Sequence, residues 1–155
     1  MSIIYKKASL EDISILVSTR VEVLKAANLL DDSTDMSRVE NESYNYYKKA
    51  LSNNTHTAFL VYDEEKIIGA GGVSYYQVMP TYHNPTGEKA YIMNIYTSPD
   101  YRRKGIAYKT LDLLVKDAKS RGTIEITLES TDMGRPLYEK YGFKDMSSEM
   151  KLQID

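Results

Sequence analysis

A chain of 155 residues is long enough to bury a hydrophobic core without covalent staples, and we read it as one domain spanning residues 1–155. A formal net charge of −2 exerts no global pull toward nucleic acid or an anionic membrane, so any basic recognition has to be local. The absence of cysteine excludes disulfide frameworks, thiolate nucleophiles and cysteine metal sites, and the two histidines, His56 and His83, have no ligand spacing, so no metal is expected.

In chain order, Ile3 to Lys7 reads as a short strand, and Ser9 with Asp12 three residues on resembles a capping box. Ile13, Leu16, Val17, Val21 and Leu24 then fall on one face of a helix from Asp12 to about Ala27, with Arg20 and Glu22 in solvent or at the edge of the stripe. A polar connection, Asn28 to Asp35, carries Asp31, Asp32 and Asp35. Ser37 and Glu40 form a second capping box, opening a helix with Tyr44, Tyr47 and Leu51 on one face that ends at Asn53 and Asn54. Ala58–Tyr62 and Ile67–Val78 read as a hairpin around Asp63 to Lys66, and Gly69, Gly71 and Gly72 permit a bulge or the close approach of another segment. Met79 to Glu88 is a loop whose His83 is a candidate base. Tyr91 to Thr97 is a strand. A helix running to Arg121 buries Leu111, Leu114, Val115 and Ala118 and stops at Gly122. Ile124, Ile126 and Leu128 alternate with polar residues in the next strand, Pro136 sits in the first turn of a short helix ending at Gly142, and Met150, Leu152 and Ile154 alternate as a last strand. No stretch of eighteen apolar residues occurs, and Lys6 and Lys7 stand near the start without an apolar run behind them; a soluble, cytoplasmic protein is expected.

The most informative stretch is Tyr91 to Tyr108: a strand, a Pro-Asp turn, three consecutive basic residues, one glycine and a helix start. Arg102, Arg103, Lys104, Gly105, Ile106 and Ala107 place cations at the end of a helix whose dipole repels them and whose first N–H groups lack partners. A bound phosphate relieves both. The stretch is neither a Walker loop nor a G-x-G-x-x-G turn. Fourteen tyrosines against two phenylalanines and no tryptophan suit the walls of polar pockets, or reflect the composition of the source genome.

R-x-x-G-x-A at Arg102, Gly105 and Ala107, inside N-I-Y-T-S-P-D-Y-R-R-K-G-I-A, together with P-L-Y-E-K-Y-G-F at Pro136 to Phe143, resembles the GCN5-related N-acetyltransferase (GNAT) family. The resemblance covers the whole chain in layout and is motif-specific from about Ala90 to Phe143. It implies an α/β (α+β) fold of the GNAT type: a mixed, mostly antiparallel central sheet flanked by helices and splayed at the acyl-CoA site. It implies that acetyl-CoA is the co-substrate, with the backbone of Ile95, Tyr96 and Thr97 pairing with pantetheine and the amides of Arg103 to Tyr108 holding the pyrophosphate. It implies that Tyr138 offers its hydroxyl to the departing thiolate, chiefly as a hydrogen bond, because proton transfer from a phenol of pKa ~10 to a thiolate of ~8.5 is uphill by roughly 2 kcal/mol. Tyr141 is the packing tyrosine of the pair.

Two positions depart from the family pattern. Tyr91 occupies the central-strand place where some members carry a glutamate base, leaving Glu129 at the end of the following strand as the nearest carboxylate, with a water chain as its competitor. Thr131 stands where many members have asparagine, so the contact with the cofactor is rearranged there. The reading is an acetyl-CoA-dependent N-acetyltransferase moving an acetyl group to a primary amine by direct attack on the thioester. The acceptor is a small amine or a peptide amine, with Asp31, Asp32 and Asp35 favouring a cationic small molecule. Neither nucleic acid nor membrane is a partner, and a homodimer is the candidate assembly. The alternative is a non-catalytic acyl-CoA sensor; a nucleic-acid binder working through Tyr101 to Lys104 suffers from the acidic overall charge.

Overall fold

The computed structural model describes residues 2–146 and 148–155. Five strands form one sheet in the order β1 (Ile3–Lys7), β2 (His56–Asp63), β3 (Lys66–Gln77), β4 (Glu88–Thr97) and β5 (Glu125–Leu128). β1 to β4 are antiparallel neighbours, while β5 runs parallel to β4 because a helix carries the chain between them. That helix, α3 (Ile106–Ser120), covers one face of the sheet; α1 (Ile13–Ala27) and α2 (Ser37–Ser52) cover the other, and α4 (Arg135–Tyr141) packs beside α3. The result is a mixed α/β architecture with a mostly antiparallel sheet, as the resemblance implies. No helix among the described residues is long and apolar enough to cross a membrane.

Side-chain alternation divides the core along the sheet. Ala58, Leu60 and Ala70 face α1 and α2, meeting Leu16, Val17 and Tyr47. Val73, Ala90 and Ile92 face α3, meeting Leu111, Leu114 and Ala118. α3 approaches closely because β3 carries Gly71 beneath it: a Cβ there would lie 2.7 Å from Thr110 Cγ2 and 2.9 Å from Ile95 Cδ1. The glycines of β3 thus serve close approach, while the bulge between β3 and β4 sits on the β4 side.

Several local expectations change. Asp12 accepts from the Ser9 N–H at 2.9 Å, but the Ser9–Asp12 box opens a single 3₁₀ turn, with α1 following from Ile13. Ser37 is already inside α2 with Met36 at its N-cap; the Ser37 N–H donates to the Asp35 carboxylate at 3.0 Å, so Asp35, just ahead of the helix, satisfies a first-turn N–H in place of the expected Ser37–Glu40 box. Tyr44 is exposed, because the buried stripe of α2 runs through Tyr47 and Ala50. Met150, Leu152 and Ile154 form no strand; their side chains are 98%, 80% and 75% exposed, since alternation makes a strand only where a neighbouring edge receives it.

Candidate active site

β4 and β5 pair only from Lys89↔Glu125 to Ile92↔Leu128. Directly beyond, Gly71 of β3 faces both Asn94 and Ile95, a bulge with Asn94 at φ 65°. From Met93 onward the β5-facing edge of β4 therefore has no strand neighbour among the described residues, while its other edge still pairs with β3 through Gly69↔Thr97 and Ala70↔Tyr96. Ile95, Tyr96 and Thr97 thus line a cleft with backbone groups available on one side, the type of edge to which an extended amide chain adds. Thr97 Oγ1, at the end of the same edge, is buried with no hydrogen-bond partner.

Past β4, a 3₁₀ turn at Pro99–Tyr101 leads to Arg102, Arg103, Lys104 and Gly105, all exposed, and then to α3. Arg103 (φ 64°) and Gly105 (φ 78°) are left-handed, so the backbone curls round before the helix begins; a Cβ on Gly105 would meet nothing within 4 Å. The glycine is therefore required by its dihedral, and the space in front of it is open. A helix leaves its first N–H groups unpaired, and here the bond to Gly105 O comes from Lys109, at 3.1 Å. The amides of Ile106, Ala107 and Tyr108 thus precede the first helical donor. Arg102 Nε donates to Thr97 O at 3.3 Å, tying the loop to the end of β4, and Lys104 Nζ lies 5.5 Å from the centre of the Tyr101 ring.

Tyr138 and Glu129 lie on opposite faces of the sheet. Tyr138 on α4 packs with Ile126 and Leu128 in the cluster below α3, and burial raises its hydroxyl above the usual tyrosine pKa. Among the described residues its hydroxyl makes no hydrogen bond, whereas Tyr141 Oη donates to Asp112 Oδ1 at 2.8 Å. The raised pKa favours a hydrogen-bond donor over a proton donor. Glu129 follows β5 directly and is exposed. Its face is set by register: Ser74 points at α2, Tyr91 is opposite Ser74, Thr127 is opposite Tyr91, and Glu129 lies two residues further along. Burial first, then the Glu129 carboxylate, raises the Tyr91 pKa, which leaves Tyr91 no role as a base near neutrality. Thr131 Oγ1 accepts from the Gly134 N–H at 3.1 Å, so this hydroxyl holds the turn into α4. His83 is exposed on the loop leading into β4, at the opposite end of that strand from the bulge, and Asp31 accepts bonds from Ser33 and Thr34 within its own turn.

Other residues at the cleft carry weaker sequence signals. Arg20, expected in solvent or at the edge of the stripe, is half-buried and reaches from α1 to donate to Asn94 Oδ1 at 3.1 Å, pinning the bulge from the helical layer. Asparagine tolerates left-handed backbone better than most residues, and that was the available signal. On the same face Tyr46 Oη lies 2.6 Å from Ser74 Oγ and 2.8 Å from Nδ1 of buried His56, an arrangement that no local motif announces.

An unpaired β4 edge continuous with a glycine-hinged helix start suits one elongated, phosphate-bearing ligand. The profile of the acetyltransferase (GNAT) family matches residues 24–143. The chain belongs to the GNAT acetyltransferase family. A predicted acetyltransferase from Clostridium acetobutylicum, crystallised with acetyl-CoA, superposes with a TM-score of 0.89 at 36% identity, over 98% of this chain and 96% of that one. A GCN5-related N-acetyltransferase from Ralstonia eutropha JMP134 superposes with a TM-score of 0.84 at 18% identity over 99% of both chains, a likeness of fold. Glucosamine 6-phosphate N-acetyltransferase of Trypanosoma brucei brucei is 24% identical over 89 residues, which span 57% of this chain and 58% of that enzyme.

Proposed function

We propose that the chain is an acetyl-CoA-dependent N-acetyltransferase that moves an acetyl group to a primary amine by direct attack on the thioester. The observation that carries this reading is the unpaired edge of β4 from Met93 to Thr97, continuous with the α3 N-terminus, because one elongated ligand with an amide-rich arm and a pyrophosphate satisfies both. The residues fit that ligand: Thr97 Oγ1 lacks a partner, and the left-handed residues Arg103 and Gly105 curl the backbone ahead of α3 with open space where a Gly105 side chain would stand. Bound there, acetyl-CoA supplies an activated acyl thioester. Ile95 to Thr97 hold the extended arm by their backbone, Thr131 flanks it from the turn before α4, and the amides from Arg103 through Tyr108 hold the phosphates beside Arg102 and Lys104.

The chain's own chemistry is then a division between faces. Tyr138, below the sheet, donates a hydrogen bond to the sulfur that departs as thiolate. Glu129, above it, accepts the proton that the attacking amine must lose. An amine of pKa ~10.4 costs roughly 4 to 5 kcal/mol to deprotonate at pH 7, so a base or a water chain ending on one is needed. The acceptor is a small molecule with a primary amine. The Trypanosoma brucei brucei relative names an amino-sugar phosphate, which makes amino sugars the first class to test.

The test is thiol release from acetyl-CoA across amino sugars, polyamines, aminoglycosides and short peptides, with Tyr138→Phe alongside. We expect release that depends on the acceptor and falls at least ~10-fold in the variant while acetyl-CoA still binds. Unchanged release in Tyr138→Phe overturns the role of that hydroxyl, and acetyl-CoA binding without release for any amine favours an acyl-CoA sensor.

A further inference from the structure

Arg20 carries a charge that its neighbours leave unbalanced. It is half-buried on α1, and its side chain donates to the neutral Asn94 Oδ1 at 3.1 Å. None of the ion pairs among the described residues includes it. The titratable groups that feel its field are uncharged near pH 7: burial pushes Tyr47 up to about 12, and burial, then Arg121 and Arg20, lower His56 to about 4. A guanidinium drawn out of water ordinarily has a carboxylate or phosphate beside it, because its lost hydration is otherwise uncompensated.

The bond to Asn94 has a second effect. A guanidinium can only donate, so the amide oxygen of Asn94 faces Arg20 and its NH2 faces away, with no acceptor among the described residues. Asn94 stands just past the last β4–β5 pair, Ile92↔Leu128, so both sets of donors lie where β4 parts from β5. They are on the α1 side of the sheet. Met93, opposite Gly72, shares that side, as does Glu129, which follows Leu128 one strand over. Of the three acids that favoured a cationic acceptor, Asp31 accepts from Ser33 and Thr34, and Asp35 from Ser37, each within its own turn.

We infer that the acceptor is an amine that also carries an acid group, carboxylate or phosphate, bound by Arg20 together with the Asn94 amide NH2; for the amine, this rests on the transferase reading above. The acid group supplies the counter-ion that Arg20 lacks, in the planar two-donor geometry a guanidinium offers an oxyacid. The amine is then directed across Met93 toward Glu129, so each charge of the zwitterion meets its opposite. A polyamine sets a second cation against Arg20 and is selected against.

The test is thiol release from acetyl-CoA with matched amines: amino acids against the amines left by their decarboxylation, and O-phosphoethanolamine and glucosamine 6-phosphate against ethanolamine and glucosamine. In the native chain the best acid-bearing amine should exceed its neutral partner in kcat/KM by at least ~10-fold, and the carboxylate and phosphate arms tell the two sources apart. Arg20→Gln should bring that ratio close to one, mainly through the KM of the acid-bearing member, and Arg20→Lys should keep part of it. General damage to the cleft lowers both members and leaves the ratio, so a merely structural Arg20 does not give this result. Calorimetry with the same acid-bearing amines, on protein saturated with coenzyme A, reads the anion site without turnover. Binding that Arg20→Gln abolishes, with no thiol release from any amine, supports the anion site and overturns the transferase reading. A ratio near one in the native chain, a ratio that survives Arg20→Gln, or the absence of both turnover and binding for every acid-bearing amine overturns the inference.

Discussion

Burial holds His56 neutral. Its pKa is lowered to about 4, first by desolvation and then by the nearby guanidinium groups of Arg121 and Arg20. Its Nε2 is buried without a partner, and a stranded acceptor is tolerated there only if the ring proton sits on Nδ1, which then donates to Tyr46 Oη, leaving the Tyr46 hydroxyl to donate to Ser74. Because the folded pKa lies below the unfolded value of ~6.5, the unfolded chain binds the extra proton first: the stability is fully present above pH ~6.5, and about 3 kcal/mol of it is lost as pH falls to ~4. Asp12 acts lower. Burial pushes its pKa up, but the Ser9 N–H and Lys6 outweigh that and leave it depressed, so its contribution is lost only as pH drops below ~3.8. Urea unfolding at pH 7 and pH 4.5 should therefore show a marked loss in the native chain and a much smaller one in His56→Gln. Glu129 is tested differently. If it takes the amine proton, Glu129→Gln lowers kcat at pH 7 by ~10-fold or more, and the deficit narrows as pH approaches ~10, where the amine loses its proton unaided; a pH–rate profile reads this directly. A deficit constant with pH would return the role to a water chain.

At the scale of elements, α3 is set by what lies beneath it. Thr110, Leu111, Leu114 and Ala118 give it a buried face, and Gly71 lets that face sit close to the sheet while Ile95 packs alongside. Gly71→Val forces its side chain into Thr110 and Ile95, and we expect a loss of roughly 1–3 kcal/mol in urea unfolding. The α3 N-terminus and the end of β4 should separate at the same time, so acetyl-CoA affinity should fall further than it does in a surface control such as Lys116→Ala. α2 is more forgiving: Asp35→Ala removes the acceptor of the Ser37 N–H and should cost about 1 kcal/mol, measured the same way, with no change in acetyl-CoA binding.

For the whole molecule, the sequence made the layers legible wherever one residue face meets one partner. The 3.6-residue stripes of α1 and α3 named most of their buried residues, the alternation in β5 set half-buried Ile126 and Leu128 against the α3 cluster but left Ile124 outside the strand and exposed, and the basic run before Gly105 marked the helix start that the chain turns into. What stayed hidden was set by distant contacts. Asp35 displaced Ser37 at the head of α2, Arg20 at the edge of its stripe found an asparagine 74 residues away, and the Met150–Ile154 alternation met no edge among the described residues. The cleft itself was legible through the family's motifs, whereas its physical origin, the two-against-one register at Asn94 and Ile95, leaves no periodic trace. That origin has a consequence for how such a site is made and unmade. The opening between β4 and β5 is a single surplus residue, and deleting Asn94 would let β4 continue in phase with β3 and close onto β5. The shortened chain should keep its far-ultraviolet spectrum and its cooperative unfolding while losing acetyl-CoA binding, turning a transferase scaffold into an ordinary closed sheet by subtraction of one amino acid.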